Sequence, residues 1–290
     1  MKTKFLILIS FLYPLLMFSQ KIKVIDAENQ KPIPYAKLIL KDKDYYKNTE
    51  ENGETLLDKG EEISEIQSFG YENFRTEKYQ SVYLLKPKFI EIAEVEIVRP
   101  KFQKAFKLGI IKNNSMGFSA STMSWVVVDL FKADVSNEKL FIKKIRIPTK
   151  VEKAIKEATF NLVFYDNEGG KPSKDKVNSI LVTCKSGKNI TEIDLSKTPI
   201  QFPKNGFFIG FEWIVNEQNK FTYITDIKYP DGKRLKNVMQ QGIAPKFQGY
   251  ESEASNIFSF SGNLQWKNIL NKKKINNSNY SLCIELELAN

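Results

Sequence analysis

Over residues 21–98 the chain alternates apolar and polar side chains in short runs broken by turn residues. "KIKVID" puts Ile22 and Val24 on one face, and "AKLILK" sets Ala36, Leu38 and Leu40 against Lys37, Ile39 and Lys41. A period of two predicts strands with one buried face. "ENGETLL" predicts another strand after a tight turn at Asn52-Gly53, because Asn-Gly tolerates the left-handed backbone that such turns need. "ISEIQSFGY" and "QSVYLLKP" supply two more. Turn signals about every ten residues predict a small antiparallel sandwich.

The pattern changes over residues 107–290, where the apolar runs are longer and rich in aromatic and β-branched residues. "MSWVVVDLF", "KLFIKKIRIP", "ATFNLVFYD", "SILVTCK", "TEIDLS", "GFFIGFEWIV", "KFTYITDI" and "SLCIELELA" all read as strands. This set predicts a second, larger sandwich of the jelly-roll type. "FFIGFEWI" is apolar on both faces, as a central strand between two layers requires. "DNEGGKP" at 166–172 predicts a hairpin turn, and "VEKAIKEA" at 151–158 one or two helical turns. The expected fold is therefore all-β throughout, with residues 99–106 as a linker.

Residues 1–20, "MKTKFLILISFLYPLLMFSQ", stand apart. Lys2 and Lys4 precede an apolar run of about 14 residues, shorter than the ~20 of a membrane span. They read as a secretory signal peptide, so the chain is expected to be exported to the periplasm, the cell surface or the medium, with no transmembrane segment in its mature part. Charge divides at the same linker. Residues 21–98 hold 12 Lys/Arg against 16 Asp/Glu, and residues 99–290 hold 30 against 18. A basic second module could meet an anionic envelope glycan or another exported protein. Spread-out lysines more often make a wet surface, and only "KKK" at 272–274 is a cluster, so a nucleic-acid partner is not expected.

The chain has no histidine. That removes Ser-His-Asp and Cys-His nucleophile systems and almost every zinc or copper enzyme site. Carboxylate, lysine and oxygen-ligand chemistry remain open. Cys184 and Cys283 could pair in an oxidising compartment. Strand phase puts Cys184 inward beside Val182 and Ile180, and Cys283 outward beside Glu285 and Glu287.

Pro32 and Pro34 lie just ahead of "AKLIL", where a missing N–H costs nothing and a fixed φ favours extended chain. Together with "VID" at 24–26, "TEENG" at 49–53, "FGY" at 69–71 and "LLKP" at 84–87, "KPIPYA" at 31–36 resembles the carboxypeptidase regulatory-like domain, a transthyretin-like sandwich of about seven strands. The resemblance covers about a quarter of the chain. A Gly common just before the family's first "V.D" is replaced by Lys23. In that family the module is an accessory fold, so the resemblance implies no peptidase activity. It also precedes the plug and barrel of TonB-dependent receptors, but the roughly 190 residues that remain here are too few for those. The second half, through "FIKKIRIPT", "FNLVFYDNEGGKP" and "DLSKTPIQFPKNGFFIGFEWI", is similar to the β-rich half of exported flavobacterial-type proteins with no assigned activity.

Three sharper chemistries have candidate residues. Jelly rolls bind sugars on aromatic platforms. Trp125 and Trp213 fall on core-facing phases, which leaves Trp266, in the polar "GNLQWKN", as the candidate ligand contact. Asp166, Asn167 and Glu168 could offer oxygen to calcium, though without the alternating spacing of a dedicated loop. Glu212, in the apolar "GFEWI", could serve a carboxylate-based glycosidase, but no second carboxylate is nominated for it. The reading as a whole is an exported, non-catalytic two-sandwich protein with no cofactor, acting in binding, adhesion or envelope scaffolding. Carbohydrate binding through an exposed aromatic is the alternative.

Overall fold

The structure is a computed structural model. It describes residues 20–43, 45–88, 104–112, 116–121, 125–133, 139–229, 231–252, 256–260, 265–269 and 279–290. Residues 1–19 of the stretch read as a signal peptide, and the lysines at 272–274, lie outside these. The described residues are all-β, with no helix among them, and divide into two compact units.

The first unit contains β1 (Gln20–Asp26), β2 (Lys37–Leu40), β3 (Tyr46–Asn48), β4 (Glu54–Leu57), β5 (Ile63–Gln67), β6 (Phe74–Arg75) and β7 (Val82–Leu85). They form a three-stranded sheet, β4-β1-β7, and a four-stranded sheet, β3-β2-β5-β6. The alternation seen in the sequence is the alternation of burial. Ile22, Val24, Leu38, Leu40, Leu57, Ile66, Tyr83 and Leu85 are all buried. Gly53 has φ +73°, and a Cβ there would lie 2.6 Å from the Val24 carbonyl oxygen, so only glycine closes this turn.

Motif residues of this unit meet one another. The Asp26 carboxylate accepts the backbone N–H groups of Glu28 and Asn29 (2.8 and 3.1 Å) and the Tyr71 hydroxyl (2.9 Å). The Glu28 N–H leads the groups that hold its pKa below the usual carboxylate range. Pro32 bridges to Ile25, and Thr49 Oγ1 accepts the Ala36 N–H (2.8 Å) and donates to the Ile33 carbonyl (3.2 Å). These contacts pin the proline segment between β1 and β2.

The second unit contains β8 (Ala105–Ile110), β9 (Met116–Ala120), β10 (Val126–Phe131), β11 (Leu140–Val151), β12 (Glu157–Glu168), β13 (Lys171–Pro172), β14 (Asn178–Lys185) and β15 (Gly187–Asp194). It continues with β16 (Ile200–Phe202), β17 (Phe207–Trp213), β18 (Lys220–Lys228), β19 (Arg234–Ser252), β20 (Phe258–Phe260), β21 (Lys267–Asn268), β22 (Asn279–Leu282) and β23 (Ile284–Ala289). One sheet runs β13-β12-β17-β10-β20-β21, with β14 also on β12. The larger runs β18-β19-β11-β23-β8, with β15 and β16 on β11 and β9 and β22 on β19. Pairing of β8 with β23 begins at Ala105↔Ala289, two residues inside the stretch read as linker.

The core between these sheets gathers Phe160, Leu162 and Phe164 of β12, Ile209, Phe211 and Trp213 of β17, and Ile284, Leu286 and Leu288 of β23. Phe211 stacks on Phe247 at 3.7 Å, and Trp213 on Trp125 at 5.5 Å. The other face of β17 joins a smaller cluster of Val126, Val128, Val163, Tyr165, Phe208 and Phe258. The two-sided apolar reading of "FFIGFEWI" matches this burial. A Cβ on Gly210 would come within 1.9 Å of the Val127 carbonyl oxygen, so close approach of β10 and β17 requires glycine.

Three expectations are corrected. The first unit is not wholly antiparallel: β7 pairs with β1 in parallel, Lys23↔Val82 to Asp26↔Leu85, because the chain reaches β7 by crossing over from the other sheet. Residues 151–158 hold no helix: Val151 ends β11, Ile155 donates its N–H to the Glu152 carbonyl in a turn, and Ala158 already pairs with Cys184. The buried Ile155 anchors that turn, and cross-strand partners take the backbone groups that a helix would have used. Cys283 is buried, not outward. It lies between β22, which pairs with β19, and β23, which pairs with β11 and β8, and this change of partner breaks the strand phase. Both cysteines are free thiols.

Candidate interaction surface

The residues singled out for chemistry are held by structural partners. Trp266 is half-buried. Its indole N–H donates to the Ser173 carbonyl at 3.0 Å, and its ring stands edge-on to Tyr165 (4.9 Å) and tilted to Phe260 (5.3 Å). It closes the smaller cluster beneath it. Trp213 donates to the Pro245 carbonyl at 2.7 Å in the core. Glu212 is buried on β17, 2.8 Å from Lys176 Nζ and 3.4 Å from Asn161 Nδ2.

Around the β12–β13 hairpin, Asn167 exchanges hydrogen bonds with Asn205 (2.6 and 2.9 Å), and its Oδ1 accepts the Gly170 N–H. Gly169 and Gly170, with φ +63° and +90°, make the turn that the sequence indicated. Among the described residues no group of three His, Cys, Asp or Glu could hold a metal ion. Burial pushes the Cys184 thiol up to about 12 and raises that of Cys283.

Asp129 is a buried carboxylate that sequence reading missed. Asp129 points from β10 into the inter-sheet core. Its Oδ2 accepts the Leu282 N–H (3.0 Å) from the opposite sheet, and its Oδ1 accepts the N–H of Leu130 (2.9 Å). Burial raises its pKa to about 6, against the pull of those N–H groups and the Ser281 hydroxyl. A lone Asp in "VVVDLF" marks such a position, since a carboxylate at an inward phase needs partners. It ties two sheets together.

A shallow groove of about 340 Å³ is lined by Asp166, Asn178 and Gln201 over Val177, Ile200, Pro203 and Phe207. Phe207 is buried, so its ring face is not open for a sugar to stack on.

The outstanding surface feature is the hairpin of β18 and β19. Their register runs from Lys220↔Ile243 through Ile224↔Met239 to Lys228↔Arg234. At the root Phe221 is buried, with Gly242 opposite it leaving room for the ring. Farther out nearly every side chain is half-buried or exposed, so residues 222–241 form an arm. Alternation along β19 puts Met239 on the same face as Ile243. Ile243 is in the core, whereas Met239 is 69% exposed and its cross-strand partner Ile224 is 65% exposed. The inner face of the larger sheet thus outruns the sandwich.

Charge pairing also differs between the arm and the middle of the larger sheet. On the body, Lys144 pairs with Glu192, Lys143 with Glu287, Arg146 and Lys107 with Glu285, and Lys246 with Glu152, all within 2.8–3.0 Å. On the arm, no carboxylate among the described residues pairs with Lys228, Lys233, Arg234 or Lys236. Its two carboxylates are used locally: Asp226 accepts the Asn237 N–H at a bulge and Asp231 the Lys233 N–H in the turn, both at 3.0 Å.

No family model matches the chain, and neither a curated protein nor a solved structure matches it.

Proposed function

We propose that the chain is an exported, non-catalytic two-sandwich protein serving as a binding, adhesion or envelope-scaffold component, and that its contact surface is the β18–β19 arm. The arm carries this reading because it combines exposed aliphatic side chains with basic side chains that have no acidic partner among the described residues. Folding gains nothing from exposing Ile224 and Met239, whereas a partner surface would bury them. Export is supported by the apolar N-terminal stretch. The non-catalytic part is supported by the engagement of Glu212 with Lys176 and Asn161, and by the resemblance of residues 21–98 to an accessory module.

The test compares the mature chain with a variant in which residues 222–241 are replaced by Asn-Gly. Both are measured for retention on cell-envelope fractions at rising salt. Retention of the intact chain that weakens with salt and is absent from the arm-less, folded variant is expected. Equal retention of the two removes the arm as the contact surface.

A further inference from the structure

The arm's own chemistry narrows what it can meet. From the root outward, the face that continues the core carries Lys220 and Ile243, then Thr222 and Gln241, then Ile224 and Met239, then Asp226 at the bulge, where it accepts the Asn237 N–H, and then Lys228 and Arg234. An exposed aliphatic pair is therefore followed, four residues farther along β18 on the same face, by a basic pair. Lys233 in the turn and Lys236 in the bulge add two more cations at the same end. Tyr229, at the start of the turn, and Tyr223, beside Ile224, are both exposed and amphipathic.

We propose that the arm is a membrane-surface contact that binds an anionic lipid bilayer. Ile224 and Met239 enter the boundary between headgroups and acyl chains. Lys228, Lys233, Arg234 and Lys236 lie among the lipid phosphates, and the tyrosines sit at headgroup depth. This rests on the reading of the arm as the contact surface.

Charge complementarity and patch shape select the occupant. A glycan would need open rings and amides converging on one face, whereas Tyr223 lies on the face opposite Ile224 and Met239, with Lys246 Nζ 5.5 Å over its ring. A protein partner of ordinary affinity needs about 800 Å² on each side with a buried centre, whereas this narrow ribbon splits its exposed aliphatics between two faces, Ile224 and Met239 on one and Leu235 on the other, with cations at its outer end. A bilayer needs only shallow insertion plus basic residues, and neither suffices alone. At the outer end of the arm four cations without an acidic partner among the described residues stand beside exposed aliphatic side chains, and that combination suits an anionic surface.

The experiment is co-sedimentation of the mature chain with vesicles of phosphatidylcholine, alone or with about one-third phosphatidylglycerol. Binding to the anionic vesicles only, weakening as salt rises, is expected. Lys228→Glu with Arg234→Glu should weaken it by about ten-fold or more. Ile224→Ser with Met239→Ser, which leaves the charge unchanged, should also weaken it about ten-fold. Both variants replace exposed side chains, and an unchanged melting temperature shows that they fold. Absence of binding at low salt, equal binding to neutral vesicles, or full binding by either double variant overturns the proposal. If vesicles are not bound while arm-dependent retention on envelope fractions persists, the lipid assignment falls and the contact surface stands. If both fail, both fall.

Discussion

The larger sheet of the second unit treats its two ends differently. Across β11 and β23, Lys143, Lys144 and Arg146 each have a glutamate within reach, and most inward positions are filled by Ile, Leu or Val. Beyond Phe221 and Gly242 the same hydrogen-bonded ladder continues, but Lys228, Lys233, Arg234 and Lys236 lack an acidic partner among the described residues, and Ile224 and Met239 lack cover. One sheet thus serves two purposes. Where it faces the other sheet, side chains are chosen for packing. Where it overhangs, backbone pairing alone keeps the ribbon formed and side chains are released for other contacts. If that division is right, substitutions should lose their effect on stability along the path from body to arm.

The largest loss is expected at Trp213. Its side chain is fully buried, stacks on Trp125, meets Phe247 edge-on at 5.1 Å and donates to the Pro245 carbonyl. Trp213→Ala removes that packing, leaves a cavity and orphans a buried acceptor. It should cost about 3–5 kcal/mol in urea unfolding. A loss below about 1 kcal/mol would show that the inter-sheet core is not packed as described.

Asp129 comes next, and its effect depends on pH. Its folded pKa of about 6 lies above the ordinary 3.8, because burial disfavours the charged form. A group raised in this way contributes its stability fully below about pH 4 and loses it as pH rises through about 6. The shift corresponds to about 3 kcal/mol. Tyr250 and Ser281 face it, and burial also raises the tyrosine. Asp26, Glu152, Asp194 and Glu285 are lowered and act in the opposite direction, so the readout is the difference between two proteins. Relative to Asp129→Asn, the unaltered chain should lose about 3 kcal/mol of unfolding free energy between pH 4 and pH 7. Parallel pH profiles would show that Asp129 does not titrate in this window.

These contrasts were unevenly visible in the sequence. Five of the first unit's strands could be read from alternation and from Asn-Gly or Pro at their ends, but β3 and β6, of three and two residues, are too short to show a period. "GFFIGFEWIV" announced a central strand by being apolar on both faces. β19 was not legible. "RLKNVMQQGIAPKFQGYES" is polar over its first half, since the arm buries little there, and carries Pro245 at a position that usually argues against a strand. Its pairing with β18 is what makes it a strand, and no local pattern records that. Trp266 misled for a related reason. Its polar sequence neighbours suggested exposure, but Ser173, Tyr165 and Phe260, distant or unremarkable in sequence, half-bury it. Cys283 was assigned by extrapolating one phase through a point where the chain changes partner. The interaction surface was legible only as a surplus of lysines, because whether a lysine is paired depends on strand register.

The smallest expected effect sits at the far end of the comparison. Ile224→Ser with Met239→Ser exchanges two aliphatic side chains for small polar ones, which in the body would cost several kcal/mol. On the arm both are already about two-thirds exposed, so little apolar area is lost from the folded state. The Ile224↔Met239 backbone pairing is unaffected, and Ser lowers strand propensity only slightly. The pair should therefore shift unfolding free energy by no more than about 0.5 kcal/mol in urea unfolding. A loss of about 2 kcal/mol or more would mean that these side chains are buried in the folded protein in solution. The arm would then belong to the packed body, and both the contact-surface reading and the lipid proposal would lose their footing.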